Sequence, residues 1–345
     1  MKVIIGANQP VRATVPKAAI GTAKPSSQRV LVDENSDGQR LDNFLMRTLK
    51  GVPKTHVYRI IRSGEVRINR GRVSADTRVK AGDWVRLPPV RVAAGADPKS
   101  DAPVPAREFE VLFEDEHLMA INKPAGVAVH GGSGVSFGVI EQLRRARPES
   151  RFLELVHRLD RETSGILLVA KKRSALTKLQ DQFRERETGK TYLALVQGKW
   201  PDSCKVIDAP LHKYVVKGQE GESGAGERRV KVVAKDDPNG MRSVTLVKVA
   251  RRWNAFSLLE VTIKTGRTHQ IRVHLAFAGH RIAGDDKYGD FDWNRALQKQ
   301  GLKRMFLHAW RLQFNHPANA ERITLCADLP SELEFFLAQI PPAPV

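Results

Sequence analysis

The sequence predicts an α+β protein in two folded parts: a small αα-β module near the amino end and a larger domain built mainly on an antiparallel sheet. Three observations carry this expectation. Two stretches of helical periodicity and then two strand-like stretches fall within residues 38 to 91. A tract dominated by Ala, Pro, Gly and Asp, residues 92 to 106, reads as a linker. Beyond it, short strands follow one another without regular βαβ alternation, which disfavours a parallel sheet. A length of 345 residues suits two domains with tails.

Residues 1 to 37 are expected to form a disordered basic arm, because the first 32 contain no acidic residue and are rich in Pro, Ala and Thr. In the module, Leu41, Phe44, Leu45 and Leu49 recur at helical spacing. A second helix starts near Pro53, a residue tolerated in a first turn, buries Val57, Ile60 and Ile61, and stops at Gly64. Lys54, Arg59 and Arg62 then face outward. Strands are predicted at residues 66–69 and 84–87. In the domain at 107–345, strands are expected at 111–113, 153–159, 165–170, 192–196 and 258–263, with helices at 139–147 and 174–186. Residues 218 to 227 form a Gly/Glu-rich loop.

Charge narrows the partners. The 57 basic residues exceed the 38 acidic ones by 19. Residues 38 to 91 hold 13 basic and 4 acidic residues, an excess of 9 in under a sixth of the chain. Such an imbalance attracts polyanions, above all nucleic acid. Acidic residues do not interleave there as on an ordinary solvated face. Apolar runs such as residues 166 to 170 are too short to cross a bilayer, so no membrane partner is expected. Cys204 and Cys326 fit neither disulfide nor metal spacing, which suits a reducing, cytoplasmic setting. His269, His274 and His280 are five and six residues apart, which does not converge on a helix face, so no metal is expected.

The segment "LELVHRLDRETSGILLVAKK" places a polar turn, residues 160 to 164, between a strand-like stretch and a continuous apolar run. Asp160 stands at the strand mouth between Arg158 and Arg161, in a positive field that favours a carboxylate. Most such Asp residues only cap turns. Alternation in "KTYLALV" sets Tyr192, Ala194 and Val196 on one strand face and Leu193 and Leu195 on the other. Thr268 reads as the N-cap of a helix with buried stripe Ile271, Leu275 and Ala278, ended by Gly279, which puts Arg272 in an early turn.

"HRLDRETSG" resembles the signature of the RluA-type pseudouridine synthases, and further blocks match at residues 122–132, 189–198, 265–280 and 284–290. The stretch 38–91 resembles the S4-type RNA-binding domain along its whole length. Together these imply isomerisation of uridine to pseudouridine in 23S ribosomal RNA, free or in a pre-ribosomal particle, by a monomer that needs no cofactor. The resemblance implies that Asp160 is the catalytic carboxylate, that Tyr192 lies against the uracil, and that Arg272 pairs with Asp160. Arg267 is the second choice for that pairing. It also implies that Arg158 fills the space vacated by the extruded uridine, a task suited to a flat, stacking cation. Lys54, Arg59, Arg62 and Arg267 are the expected RNA contacts. Two departures stand out: Arg281 where the family commonly has Pro, and "HPANAE" at 316–321 for a usual His-Pro-x-Thr-Gly-Glu.

Two rivals come from other classes. A catalytically idle RNA-binding assembly factor would fit the basic module equally well but has no need of Asp160, Tyr192 and Arg272 together. A nucleoside hydrolase would need a second carboxylate to activate water, and the turn offers only Glu162.

Overall fold

The computed structural model describes residues 27–49, 51–90, 104–131, 137–216 and 227–341. The chain divides into two compact units between Ala96 and Asp97. That division falls inside the stretch read as a linker, most of which lies outside the described residues, as does the Gly/Glu-rich loop.

In the amino-terminal unit, β1 (Gln28–Leu31) precedes α1 (Leu41–Thr48) and α2 (Lys54–Arg62). The short strands β2 (Arg67–Ile68) and β3 (Gly71–Arg72) and then β4 (Trp84–Leu87) follow. The sheet order is β1-β4-β2-β3. Leu41, Phe44 and Leu45 of α1 meet Val57, Ile60 and Ile61 of α2 over Val85 and Leu87, which forms a separate core. One expectation needs correcting. The arm was read as extending to residue 37, yet Gln28–Leu31 pairs along its full length with Trp84–Leu87. Three of its four side chains are exposed, so it shows no buried face to betray it. Residues 1 to 26 lie outside the described residues.

The second unit opens with β5 (Val111–Glu114), β6 (Leu118–Lys123), α3 (Val139–Ala146), β7 (Glu154–Leu155), β8 (Ser164–Ala170) and α4 (Arg173–Glu185). Then come β9 (Gly189–Gln197), β10 (Val206–Asp208), the hairpin β11 (Leu211–Val216) and β12 (Glu227–Val232), β13 (Val244–Arg252) and β14 (Phe256–Ile263). It closes with α5 (Gln270–Phe277), α6 (Phe291–Lys299), β15 (Leu307–Asn315), β16 (Arg322–Cys326) and α7 (Ser331–Gln339). Ten strands form one sheet, ordered β10-β13-β14-β9-β15-β8-β6-β5, with β16 added to β15 and β7 to β8. Among the described residues only β8 and β15 pair in parallel, at His308 and Ala309, so the sheet is antiparallel almost throughout, as predicted.

The predicted strand at 153–159 is reduced to Glu154–Leu155. The ladder ends because the His157 ring takes over a backbone role: its Nε2 accepts the Leu168 N–H at 3.1 Å. The chain is then released toward the turn at Asp160.

Alternation along β9 separates two cores as expected. Ala194 and Val196 pack with Ile271 and Leu275 of α5. Leu193 and Leu195 pack with Leu297 of α6 and with Leu333 and Phe336 of α7. Tyr192 touches both the α5 core and the neighbouring core formed by α3 and β8. It therefore sits on the seam between them.

Candidate active site

The turn that carries Asp160 is held from both ends. The Thr163 N–H donates to the Asp160 carbonyl at 3.1 Å. The Gly126 N–H and the Lys123 ammonium both donate to the Arg161 carbonyl, at 2.9 and 3.1 Å. Lys123 is fully buried, and its other donors reach the carbonyls of Pro124 and Val127 at 2.8 and 2.9 Å. Burial pulls its pKa down to about 7, and the charge of Arg304 acts in the same direction. Three carbonyls nevertheless match the three N–H donors that only the ammonium has. On the far side, Ser164 at the start of β8 hydrogen-bonds His308 Nδ1 at 2.8 Å and accepts from Arg304 at 2.7 Å. Gly165 has φ +108°, and a Cβ there would stand 2.3 Å from the Ala309 oxygen. No other residue fits beside β15 at that point.

The Asp160 side chain is 24% exposed and faces the Arg272 guanidinium, with Nη1 at 3.8 Å, and the His269 imidazole, with Nε2 at 3.9 Å. The expected pairing with Arg272 exists, but as a long contact. The main partner of Arg272 is Asp285, bound through two near-parallel hydrogen bonds of 2.8 and 2.6 Å, with Asp286 at 3.0 Å. Arg272 and Asp285 are 3% and 1% exposed. Burial alone would raise the Asp285 pKa, but Arg272 and the N–H groups of Lys287 and Tyr288 outweigh it and hold the carboxyl below its ordinary value. Burial alone would lower the Arg272 pKa, but the hydrogen bond to Asp285 and the charges of Asp285, Asp160 and Asp286 together hold it above its ordinary value. Nη1 is the arm of the fork left to face Asp160.

The predicted Thr268 cap is also corrected. The residue before α5 is His269, in the left-handed conformation at φ 54°, and no side chain caps the helix. The turn is held instead by Gln270, whose Oε1 accepts from Thr265 Oγ1 at 2.7 Å and from the Arg267 N–H at 3.1 Å. Its amide donates to the Val244 carbonyl and to Thr245 Oγ1, both at 3.0 Å. The left-handed residue throws the His269 ring toward Asp160, and Nδ1 lies 2.8 Å from the Tyr288 hydroxyl. That hydroxyl also accepts the Val230 N–H of β12 at 3.0 Å. Burial lowers the His269 pKa, which favours the neutral ring at neutral pH.

Asp160, Tyr192, Arg272, Arg158 and Arg267 all line one cavity of about 540 Å³, in the usual range of small-molecule sites. Burial, and then the charge of Asp160, push the Tyr192 hydroxyl above its ordinary pKa, so it stays protonated. Arg158 is exposed and borders a second cavity that also reaches Asp160. Arg267 donates to the Arg242 carbonyl at 3.3 Å and is not the cation beside Asp160. Lys54, Arg59 and Arg62 lie in the other unit, on the exposed side of α2. Among the described residues no cluster of three His, Cys, Asp or Glu could hold a metal ion.

Sequence reasoning passed over Asp285, Tyr288, His269 and Lys123. Asp285 and Tyr288 lay in the quoted block 284–290, whose paired acids beside an aromatic were a usable signal. The histidine had been weighed only as a metal ligand.

A polar turn that delivers one carboxylate to a cation-lined cavity beside a seam tyrosine, in a chain that also carries a basic αα-β unit, fits an enzyme that acts on nucleic acid. Residues 117–277 match the RNA pseudouridylate synthase family and residues 39–85 the S4 domain. The chain belongs to the RNA pseudouridylate synthases. It is 49% identical over 322 residues to Ribosomal large subunit pseudouridine synthase C of Haemophilus influenzae, covering 91% of this chain and 95% of that one. The corresponding Escherichia coli protein is 48% identical over 325 residues, covering 92% and 98%. Among solved structures, human RNA Pseudouridylate Synthase Domain Containing 4 superposes with a TM-score of 0.52 at 29% identity, over 66% of this chain and 92% of that one.

Proposed function

We propose that this enzyme isomerises specific uridines of 23S ribosomal RNA, free or in a pre-ribosomal particle, acting as a cytoplasmic monomer. The single observation that carries the reading is the placement of Asp160. Among the described residues it is the one carboxylate lining the 540 Å³ cavity that Tyr192 also lines, and it lies 3.8 Å from Arg272. In the reaction the N1–C1′ bond breaks, the base turns, and a C5–C1′ bond forms, while C5 gives up a proton and N1 gains one. Asp160 acts on the nucleotide as nucleophile or electrostatic partner. Tyr192 supports the uracil with its ring and presents a protonated hydroxyl for proton relay. Arg272 supplies the positive charge that faces Asp160 beside the bound nucleotide. Arg158 takes the place of the extruded base, and Arg267 with Lys54, Arg59 and Arg62 contacts phosphates.

The test is pseudouridine mapping of 23S RNA from cells lacking the gene and complemented with wild type or Asp160→Asn. Positions lost in the deletion should return with wild type and stay absent with the variant. Pseudouridine restored by Asp160→Asn would refute the assignment and favour a non-catalytic assembly role.

A further inference from the structure

The main cavity extends past Tyr192 along β9, and its cations there are unevenly served. Arg184 pairs with Asp181, Arg272 with Asp285, and Arg267 donates to a backbone carbonyl. Lys190, Arg186 and Lys264 line the same wall with no ion pair to any described carboxylate. Lys190 is 8% exposed, and its recorded contact is with the Phe183 ring, 5.2 Å from Nζ. Phe183 in turn stacks on His157 with ring centres 4.7 Å apart. A lysine this buried normally has a carboxylate or a set of carbonyls, as Lys123 does. Burial, and then the charges of Arg186 and Lys264, pull the Lys190 pKa below its ordinary value. Lys190 and Tyr192 lie two residues apart on one strand, hence on the same face and about 7 Å from each other.

We infer that Lys190, with Arg186 and Lys264, forms a phosphate-binding subsite that grips a backbone phosphodiester of the RNA strand beside the uridine held at Tyr192. The inference rests on the RNA-modifying reading of this cavity. It adds a fixed point on the strand, so that positioning of the target is shared between the base pocket and one phosphate. Arg186 is suited to the outer position because it is exposed, lines the cavity, and ends α4 with a left-handed backbone at φ 66°.

The full-length protein and unmodified 23S RNA transcript supply the test, with rate measured against RNA and salt concentration. Lys190→Met should raise KM about fivefold or more and make the salt dependence of kcat/KM shallower by roughly one phosphate's worth. kcat at saturating RNA should stay within about twofold, and Lys190→Arg should keep the wild-type salt slope, which a merely structural role would not require. Adding Lys264→Met to Lys190→Met should cost less than the sum of the single effects, because both lose the same phosphate. An unchanged KM and slope in Lys190→Met would overturn the subsite. So would thermal stabilisation of wild type by millimolar inorganic phosphate combined with an unaltered KM for RNA, since that marks a site for the free ion. If wild type bound the transcript but formed no pseudouridine, the functional reading would fail. The salt slope of binding, wild type against Lys190→Met, would still decide the subsite.

Discussion

At the residue scale, Arg272 has two obligations, and they can be separated. Removing it alone strands Asp285, a carboxylate with 1% exposure, which should cost about 3–5 kcal/mol of stability. Arg272→Met by itself therefore confounds folding with chemistry. The double variant Arg272→Met/Asp285→Leu removes both buried charges and should recover stability to within roughly 2 kcal/mol in urea titrations. Pseudouridine formation should remain at least about 100-fold down, because Asp160 has still lost its cation. Recovery of turnover in the double variant would reduce Arg272 to a structural part. His157 offers a pH-dependent case. Burial lowers its pKa to about 4, against 6.5 in the unfolded chain. Between those values the unfolded state binds the extra proton, so stability is complete above pH 6.5 and declines as pH falls toward 4. The loss is at most about 3 kcal/mol, from 1.4 kcal/mol per pH unit. His157→Phe should be less stable at pH 7, having lost the acceptor for the Leu168 N–H, but should lack this acid-dependent decline. Parallel urea midpoints for both proteins at pH 7 and 4.5 decide it.

At the scale of elements, legibility followed the visible physics. Helices α1 to α4 could be read because an apolar stripe recurs every three to four residues, and β8 because its seven residues are all buried. β1 escaped because its pairing partner lies 50 to 60 residues away and its own side chains are mostly solvated. The start of α5 escaped because a left-handed histidine, not a hydroxyl, sets it. The same reasoning finds strain in the β15–β16 connection. Ala320, in "HPANAE", has φ 61° and stands where the His-Pro-x-Thr-Gly-Glu pattern implied by the resemblance has Gly. A left-handed alanine costs about 1–2 kcal/mol, partly offset by the greater chain entropy that glycine would lose on folding. Ala320→Gly should thus raise stability by about 0.5 kcal/mol, visible as a small upward shift in Tm. An unchanged or lower Tm would mean that the turn holds no usable strain.

At the scale of the molecule, the amino-terminal core shares no residue with the cores of the second unit, and this independence can be measured. The excess of nine positive charges within residues 38–91, which includes Lys54, Arg59 and Arg62, belongs to one unit. Asp160, Tyr192 and Arg272 belong to the other. Deleting residues 1 to 103 removes β1 together with the strand it pairs with. The remaining chain should fold with an unaltered urea midpoint for its own transition, while RNA affinity falls and log K against log salt becomes shallower. An unchanged slope would mean that the S4 domain does not touch RNA. For the site, the motif blocks pointed to Asp160, Tyr192 and Arg272 as candidates, and the fold brings the three to one cavity. Their mutual arrangement was not legible, because the Arg272–Asp285 fork and the Tyr288–His269 contact depend on how α5 packs against the segment after it.

The parallel pairing of β8 with β15 also sets a timetable. Ser164 meets His308 across 144 residues of sequence. At cellular translation speeds of about 5–20 residues per second, roughly 7–30 s pass between the making of one strand and the other. A nascent chain that has emerged as far as α5 already carries Asp160, Tyr192 and Arg272, but not the Asp285 that grips the arginine or the strand that lies between β8 and β9. The polypeptide is thus threaded past ribosomal RNA for most of its synthesis with Asp160, Tyr192 and Arg272 unassembled, and the cavity they share is completed only when the segment after α5 arrives.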